Sequence, residues 1–331
     1  VCGKLSPVHD TTEKEWRHLN FFQYEAYLKA RVPRVQCPDA DCGVKQISVP
    51  WARSGSGFTL LFEALVMTMA RDMPVNVIAR LLTVNDKRLW RIITAYVDAA
   101  RSREDFSSVT HLGIDETSIR KGHNYLSFFF DLTRRKLLFG TEGKDHSTIE
   151  RFVSDLKAHG GEPEQITDAA IDMSKAFIKG VKDQLPHAVI TFDKFHLIKL
   201  MNDALAKVRA EEARLFPEFL KQSRYLFLKN PEDLRPEEQD HLDRMIQHQC
   251  HKSIEAYIHK LNLQNVYFAR NKAEAAGLLQ QWHKQAATST LALMQKMART
   301  VKEHWDGILS HFDNKLTTGF LEGINSLIVL R

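Results

Sequence analysis

The spacing of hydrophobic positions in the first hundred residues changes at a Gly/Ser-rich break, residues 54–57. Between residues 16 and 36, apolar and polar side chains alternate with a period near two, which predicts short strands. Between residues 58 and 69, apolar side chains recur at steps of three and four, which is typical of one face of an amphipathic helix. The break therefore predicts a domain boundary, with a small β module over residues 1–53.

Two more helices are predicted between this first helix and residue 97. Pro74 ends the first helix, and a short apolar repeat over residues 75–82 makes the second. Asn85 is a suitable N-cap for the third, in which Leu89, Ile93 and Val97 form the expected buried stripe. Three helices with this spacing predict a helix-turn-helix unit over residues 54–108, with the third as the recognition helix.

The predicted recognition helix carries Lys87, Arg88 and Arg91 on its outer side. These side chains are suited to contacts with DNA phosphates or base edges. The alternative is a three-helix linker whose basic face meets only water. A net charge of +5 and a pI near 8.9 are compatible with a nucleic-acid partner without demanding one.

From residue 110 onward the pattern becomes rich in strands. We predict strands at 111–119, 124–133 and 136–143, then a helix at 146–159, a strand at 165–172, a helix at 174–184 and a strand at 188–193. Three consecutive strands followed by alternation is the order of a ribonuclease H-like sheet, in which the first and fourth strands are neighbours. The prediction is an α/β fold with a ribonuclease H-like core at 109–196, a large helical insertion at 197–312 and a final helix at 313–331.

Three acids stand out within these elements. Asp115 lies inside an apolar strand, Asp172 ends another strand, and Glu322 lies in the final helix. A strand buried in a core normally excludes carboxylates, because an unpaired one is costly to desolvate. If the first and fourth strands are neighbours, Asp115 and Asp172 face each other although 57 residues separate them (172 − 115). The three carboxylates predict a phosphoryl-transfer site that binds Mg²⁺ or Mn²⁺ rather than zinc.

Each of these acids also has an ordinary structural interpretation. Asp115 could be a turn acid or the partner of a nearby arginine. Asp172 could cap the helix that begins near Ser174, and a single acid such as Glu322 on an amphipathic helix is usually solvated. Glu116 is expected to point to the opposite face of its strand from Asp115. Three further polar side chains are expected in supporting positions near the site: Asp193, His196 and Asn325.

The chain contains four cysteines, and three of them fall within its first 42 residues. So few cysteines argue against a disulfide scaffold and for a reducing compartment. Cys37 and Cys42 form a knuckle, and Cys2 resembles the second half of another knuckle that begins before Val1. The pattern predicts a zinc ribbon with Cys2, Cys37, Cys42 and one ligand outside this sequence. The alternative is a reduced surface loop without metal.

Taken together, the motifs resemble those of the bacterial ISL3-type insertion-sequence transposases over essentially the whole chain. The motifs, in order, are Trp16-Arg-His-Leu, the cysteine knuckle, the helix-turn-helix, Gly113-Ile-Asp-Glu, Gly122-His-Asn-Tyr, Asp172-Met-Ser, Asp193-Lys-Phe-His and Glu322-Gly-Ile-Asn. Two features depart from the family pattern. The knuckle has four residues between its cysteines where two are usual, and the chain ends nine residues after Glu322 (331 − 322). The early stop predicts a truncated copy or a natural relic, and the start at Val1 rather than Met predicts a piece of a longer product.

The resemblance implies a DDE-type transposase that cleaves insertion-sequence ends and transfers the strands. Asp115 would bridge two metal ions, Asp172 would bind one of them and Glu322 the other, with Mg²⁺ or Mn²⁺ as the cofactor. The implied partners are double-stranded DNA, as terminal repeats and target, and further copies of the chain on that DNA. The implied location is the bacterial cytoplasm, at the nucleoid, with no membrane. The alternative function is a truncated, catalytically inactive DNA-binding relative of such an enzyme.

Overall fold

A computed structural model of the chain describes residues 6–37, 42–120, 124–221, 223–248 and 250–319. The chain divides into two compact units, Val1–Glu104 and Asp105–Arg331. No helix among the described residues is long and apolar enough to cross a membrane.

The first unit begins with a small antiparallel sheet of three strands, β1 (Val8–Arg17), β2 (Tyr27–Gln36) and β3 (Val44–Gln46). Its core is small, consisting of Trp16, Val32 and Ala52, with the ring of Trp51 edge-on to Trp16 at 5.6 Å. The structure has strands in this region as predicted, but β1 begins eight residues earlier, at Val8 rather than at residue 16, and residues 18–26 lie between β1 and β2. A core of this size is commonly supplemented by a structural metal.

Three helices follow in the first unit: α1 (Leu60–Ala70), α2 (Val75–Leu82) and α3 (Asp86–Arg101). The predicted cap is confirmed, because Asn85 accepts a hydrogen bond from the Lys87 amide at 2.9 Å. The predicted buried stripe is wrong at its end, since Val97 is 51% exposed while Leu89 and Ile92 are buried. At 3.6 residues per turn Val97 lies about 80° around the helix from Leu89, and Ile92 lies on the other side of it.

The second unit contains a five-stranded sheet built from β4 (His111–Arg120), β5 (Asn124–Asp131), β6 (Lys136–Glu142), β7 (Asp168–Ile171) and β8 (Val189–Phe192). The strand order is β6-β5-β4-β7-β8. Strand β4 pairs antiparallel with β5 and parallel with β7, and β7 pairs parallel with β8. The first and fourth strands of this region are therefore neighbours, as predicted.

Two helices of the sheet region, α4 (Ser147–Ala158) and α5 (Lys175–Gln184), follow β6 and β7. Phe152 of α4 stacks on Phe129 of β5 with ring centroids 4.5 Å apart, inside the main core. Gly180 lets α5 approach α4, because a Cβ at this position would lie 2.7 Å from the Ile149 side chain.

Beyond β8 the secondary structure of the described residues consists of helices joined by loops. They are α6 (Lys194–Glu212), α7 (Pro217–Leu220), α8 (Pro236–Gln247), α9 (His251–Val266), α10 (Lys272–Ala287), α11 (Ala292–Glu303), α12 (Trp305–Leu309) and α13 (His311–Asn314). Helix α12 packs tightly on β8, since a Cβ at Gly307 would lie 2.5 Å from the Phe192 ring. This contact returns the chain to the sheet after more than a hundred helical residues.

Candidate active site

The strand registers place three aspartates at one level of the sheet. The β4–β7 ladder pairs His111 with Asp168, an offset of 57 (168 − 111), and the same offset relates Asp115 to Asp172. The β7–β8 ladder pairs Asp168 with Val189, an offset of 21 (189 − 168), which also relates Asp172 to Asp193. Asp172 and Asp193 come directly after their strands, so both lie at the carboxyl end of the parallel part of the sheet.

Asp115 is 6% exposed, and one of its oxygens accepts a hydrogen bond from the Glu116 amide at 2.8 Å. Asp172 is partly buried and accepts a hydrogen bond from the Ser174 amide at 2.9 Å, so it also fulfils the capping role that the sequence left open. Burial raises the pKa of Asp172, while the Ser174 amide and the nearby His196 and Lys144 lower it in part. A desolvated carboxylate that is only partly compensated attracts a further cation.

Glu116 is a fourth acid at this level, and sequence reasoning set it aside. Burial raises the pKa of Glu116, and the charges of Asp172 and Asp115 raise it further, while Lys144 and His196 lower it. Strand β7 ends at Ile171 while β4 continues to Arg120, so Glu116 lies beside the open end of β7.

Lys144 is the cation at this edge of the sheet that the sequence analysis missed. It follows Gly143, whose φ of +106° turns the chain immediately after β6. The Gly143 amide donates to the Tyr125 carbonyl at 2.8 Å, and the Gly143 carbonyl accepts a bond from the Ser127 hydroxyl at 2.8 Å. The Lys144 ammonium lies 3.7 Å from the centroid of the Tyr125 ring. A glycine followed by lysine at a strand end was the only signal for it in the sequence.

His196 is a second basic side chain near these acids. It lies in the first turn of α6, partly buried. Its Nδ1 atom is buried and has no hydrogen-bond partner among the described residues. The sequence left two interpretations of His196, a side chain that orients a carboxylate or contacts a phosphate and a member of a capped helix start, and this position fits both.

Asp193 joins two segments that are far apart in the sequence. One of its oxygens caps α6 by accepting a bond from the Phe195 amide at 3.0 Å. The other accepts bonds from the Thr318 amide, at 3.1 Å, and from the Thr318 hydroxyl. Both side chains are 2% exposed. This carboxylate therefore ties the chain just ahead of Glu322 to the carboxyl end of β8.

Two of the predicted site residues, Glu322 and Asn325, lie outside the described residues. Among the residues that are described, no group of three or more His, Cys, Asp or Glu side chains is arranged to hold a metal ion. Asp115 and Asp172 supply two of the three predicted ligands. Their carboxylate oxygens are the donor type that Mg²⁺ and Mn²⁺ prefer.

The predicted DNA-contacting side chains Lys87, Arg88 and Arg91 are all exposed on α3. The Arg88 guanidinium also lies 4.3 Å from the centroid of the Phe58 ring. Of the predicted zinc ligands, Cys37 is buried and Cys42 is partly buried. Cys2 lies outside the described residues.

Comparison with models of protein families decides the identity of the chain. The ISL3 transposase model matches residues 112–330, which is 219 of the 331 residues (330 − 112 + 1). The chain belongs to the ISL3 family of transposases. The helix-turn-helix model of the same family matches residues 47–97 of this transposase, and the model for the zinc finger of transposases IS204/IS1001/IS1096/IS1165 matches residues 1–42.

Two named transposases are similar to this ISL3 chain along nearly all of it. The transposase for insertion sequence element IS1001 of Bordetella parapertussis is 26% identical over 336 residues, covering 99% of this chain and 82% of the relative. The transposase for insertion sequence element IS1557 of Mycobacterium tuberculosis is 27% identical over 363 residues, covering 99% and 80%. The resemblance seen in the motifs is confirmed. As an ISL3 transposase with a helix-turn-helix and a zinc-ribbon domain, the chain is of a DNA-binding, DNA-cleaving class.

Proposed function

We propose that this ISL3 transposase cleaves DNA at insertion-sequence ends and transfers the strands through a metal site held by Asp115, Asp172 and Glu322. The observation that carries the proposal is the register of the parallel strands β4 and β7, whose offset of 57 relates Asp115 in β4 to Asp172, the residue directly after β7. Two carboxylates on neighbouring strands, both poorly solvated, form a strongly anionic patch that favours a divalent cation.

The strand order β6-β5-β4-β7-β8 supports assigning the sheet to the ribonuclease H-like class. In that assignment, residues 109–196 form the catalytic core, residues 197–312 a helical insertion, and residues 313–331 the segment that returns to the site. The packing of α12 on β8 and the bonds between Thr318 and Asp193 support the return of the chain to the sheet. Glu322 follows four residues after Thr318 (322 − 318).

When bound, Mg²⁺ or Mn²⁺ would neutralise phosphate charge and favour a deprotonated attacking oxygen. The protein side chains have separate parts in this site. Asp115, held in β4, has little freedom to move, and the Ser174 amide holds one oxygen of Asp172 and leaves the other for a ligand. Lys144 and His196 lie close enough to these acids to lower the pKa of Asp172, so they are placed to contact a phosphate brought to them.

The amino-terminal unit is proposed to recognise the DNA. Residues 54–108 would form the helix-turn-helix unit, with Lys87, Arg88 and Arg91 against the duplex. Residues 1–53 would form a zinc ribbon in which Cys2, Cys37 and Cys42 hold one Zn²⁺ with a fourth ligand. Terminal repeats and target DNA would be the partners, with several copies of the chain acting together in the bacterial cytoplasm.

The proposal is tested by Mg²⁺- and Mn²⁺-dependent nicking of duplex DNA that carries the ends of the chain's own insertion sequence. Asp115→Asn, Asp172→Asn and Glu322→Gln should each reduce nicking to background while DNA binding is retained. Asp183→Asn, an exposed acid on α5, is the matched control and should leave nicking unchanged. Full activity in any of the three variants would remove that residue from the site. Binding of element ends without nicking in either metal would favour the inactive DNA-binding alternative.

A further inference from the structure

A notch of about 100 Å³ lies where the Gly/Ser-rich segment 54–57 meets the recognition helix α3. Three arginines line it: Arg53, Arg88 and Arg91. Gly57 permits the close approach of Arg88, because a Cβ at this position would lie 3.2 Å from the Arg88 guanidinium. The notch is thus formed by a segment that the sequence suggested was only a flexible break.

A buried acid holds the segment 54–57 in place. Glu63 of α1 is 0% exposed and accepts bonds from the Ser56 hydroxyl at 2.6 Å and the Tyr96 hydroxyl at 2.9 Å. Arg53 donates to the same carboxylate at 3.2 Å. The segment is therefore bonded to α1 and, through Tyr96, to α3. A site whose walls are held by buried hydrogen bonds is organised before its ligand arrives.

The charges around the notch do not balance. Arg53 is paired with Glu63, which leaves that pair neutral. Arg88 and Arg91 have no carboxylate partner among the described residues, so the notch carries two uncompensated positive charges. The amides of Gly55 and Gly57 likewise have no acceptor within the described part of the chain, and Gly55 has a φ of +75°. Free amides beside a left-handed glycine are a common setting for anion binding.

We propose that the notch lined by Arg53, Arg88 and Arg91 binds one phosphate of the DNA backbone. A phosphodiester is anionic and tetrahedral, and the planar guanidinium groups of arginine bind its oxygens in pairs. The volume suits a phosphate group rather than a nucleoside. The inference rests on the DNA-binding part of the proposed function and assigns Arg88 and Arg91 to backbone contact, so that they would set the position of α3 without reading sequence.

The test uses the full chain and the salt dependence of its binding to labelled 20-base-pair duplexes of two unrelated sequences. Each phosphate contact contributes a slope of about −0.9 to log K against log[KCl]. Arg88→Gln and Arg91→Gln should each make the slope less negative by about 0.9, and the double variant should do so by about 0.9 and not about 1.8, because both side chains share one phosphate. The fall in affinity should be equal for both duplexes.

Arg103→Gln is the matched control, since Arg103 is exposed in the same unit but lies beyond the end of α3. It should leave the slope unchanged. Arg53 is not substituted, because its loss would leave Glu63 buried without its cation. Additive slope losses, a loss confined to one duplex, or an equal loss in Arg103→Gln would each overturn the shared phosphate site. Unchanged slopes in a chain that still nicks DNA would remove the notch alone, and expected slopes without nicking would remove only the proposed chemistry.

Discussion

The bond between Asp193 and Thr318 allows a quantitative prediction about the third carboxylate. The partners are 125 residues apart in the sequence, and the Asp193 carboxylate accepts hydrogen bonds from both the amide and the hydroxyl of Thr318. Asp193→Asn keeps an oxygen that can cap α6, because asparagine is as good an N-cap as aspartate. The substitution replaces the other oxygen by an NH2 group, which cannot accept a hydrogen bond from Thr318. The change therefore removes the anchor of the chain ahead of Glu322 and spares the helix.

A hydrogen bond to a charged group contributes about 1.5–3 kcal/mol when both partners are buried. Since about 1.4 kcal/mol is tenfold in an equilibrium constant, Asp193→Asn should lower the equilibrium constant for docking by about 10- to 100-fold, and the nicking rate by up to the same factor. Thr318→Val removes only the hydroxyl and should lower the rate by about tenfold. Thr318→Ser keeps the hydroxyl and should stay close to the parent.

Two assays check the anchor independently of one another. The first is nicking of element-end DNA by the single and double variants, whose effects should not add because both changes break the same contact. The second is tryptic cleavage after Lys315, which should be faster in Asp193→Asn and Thr318→Val than in the parent. If Asp193→Asn abolishes nicking while Thr318→Val leaves both nicking and proteolysis unchanged, the reasoning is refuted, and Asp193 would act as a metal ligand.

Three further predictions follow from other buried or paired groups. Because burial raises the pKa of Asp172 above the ordinary 3.8, its carboxyl binds a proton more tightly in the folded state, so the unfolding free energy falls as pH rises through that range. Asp172→Asn should therefore be more stable than the parent at pH 7 in EDTA by urea unfolding, and lower stability would contradict this sign. Burial lowers the pKa of Lys260 from 10.5 to about 8, so the unfolded chain binds this proton more tightly than the folded one. The free energy of unfolding should therefore rise between pH 8 and 10.5 by up to about 3 kcal/mol. Lys260→Met should lack this pH dependence, and a Lys252→Met control should keep it. Metal analysis of a chain extended upstream of Val1 should find one zinc ion per chain. Cys37→Ser or Cys42→Ser should remove this zinc, and the control Cys250→Ser should keep it. An extended chain without zinc would mean that the knuckle is a loop that binds no metal.

The sequence alone determined the order of the elements and the pairing of the two aspartates. Periodicity and caps are local, so the strands, the helices and the Asn85 cap could be read without knowing what packs against them. The adjacency of Asp115 and Asp172 followed from strand order, because a parallel crossover admits few topologies. The exposure of Val97 could not be predicted in this way, because the apolar positions of α3 fit more than one possible buried face of the helix.

The tertiary structure alone decided which charged side chains gather around these elements. Lys144 approaches the acids because the turn at Gly143 is bonded to β5. Arg53 and Arg88 line the same notch because the buried Glu63 accepts hydrogen bonds from Arg53 and Ser56. These are contacts between segments with no shared period, and their positions depend on the relative lengths of neighbouring strands and on buried hydrogen bonds across long sequence separations. Such quantities leave no repeating mark in a sequence, because each depends on a single contact.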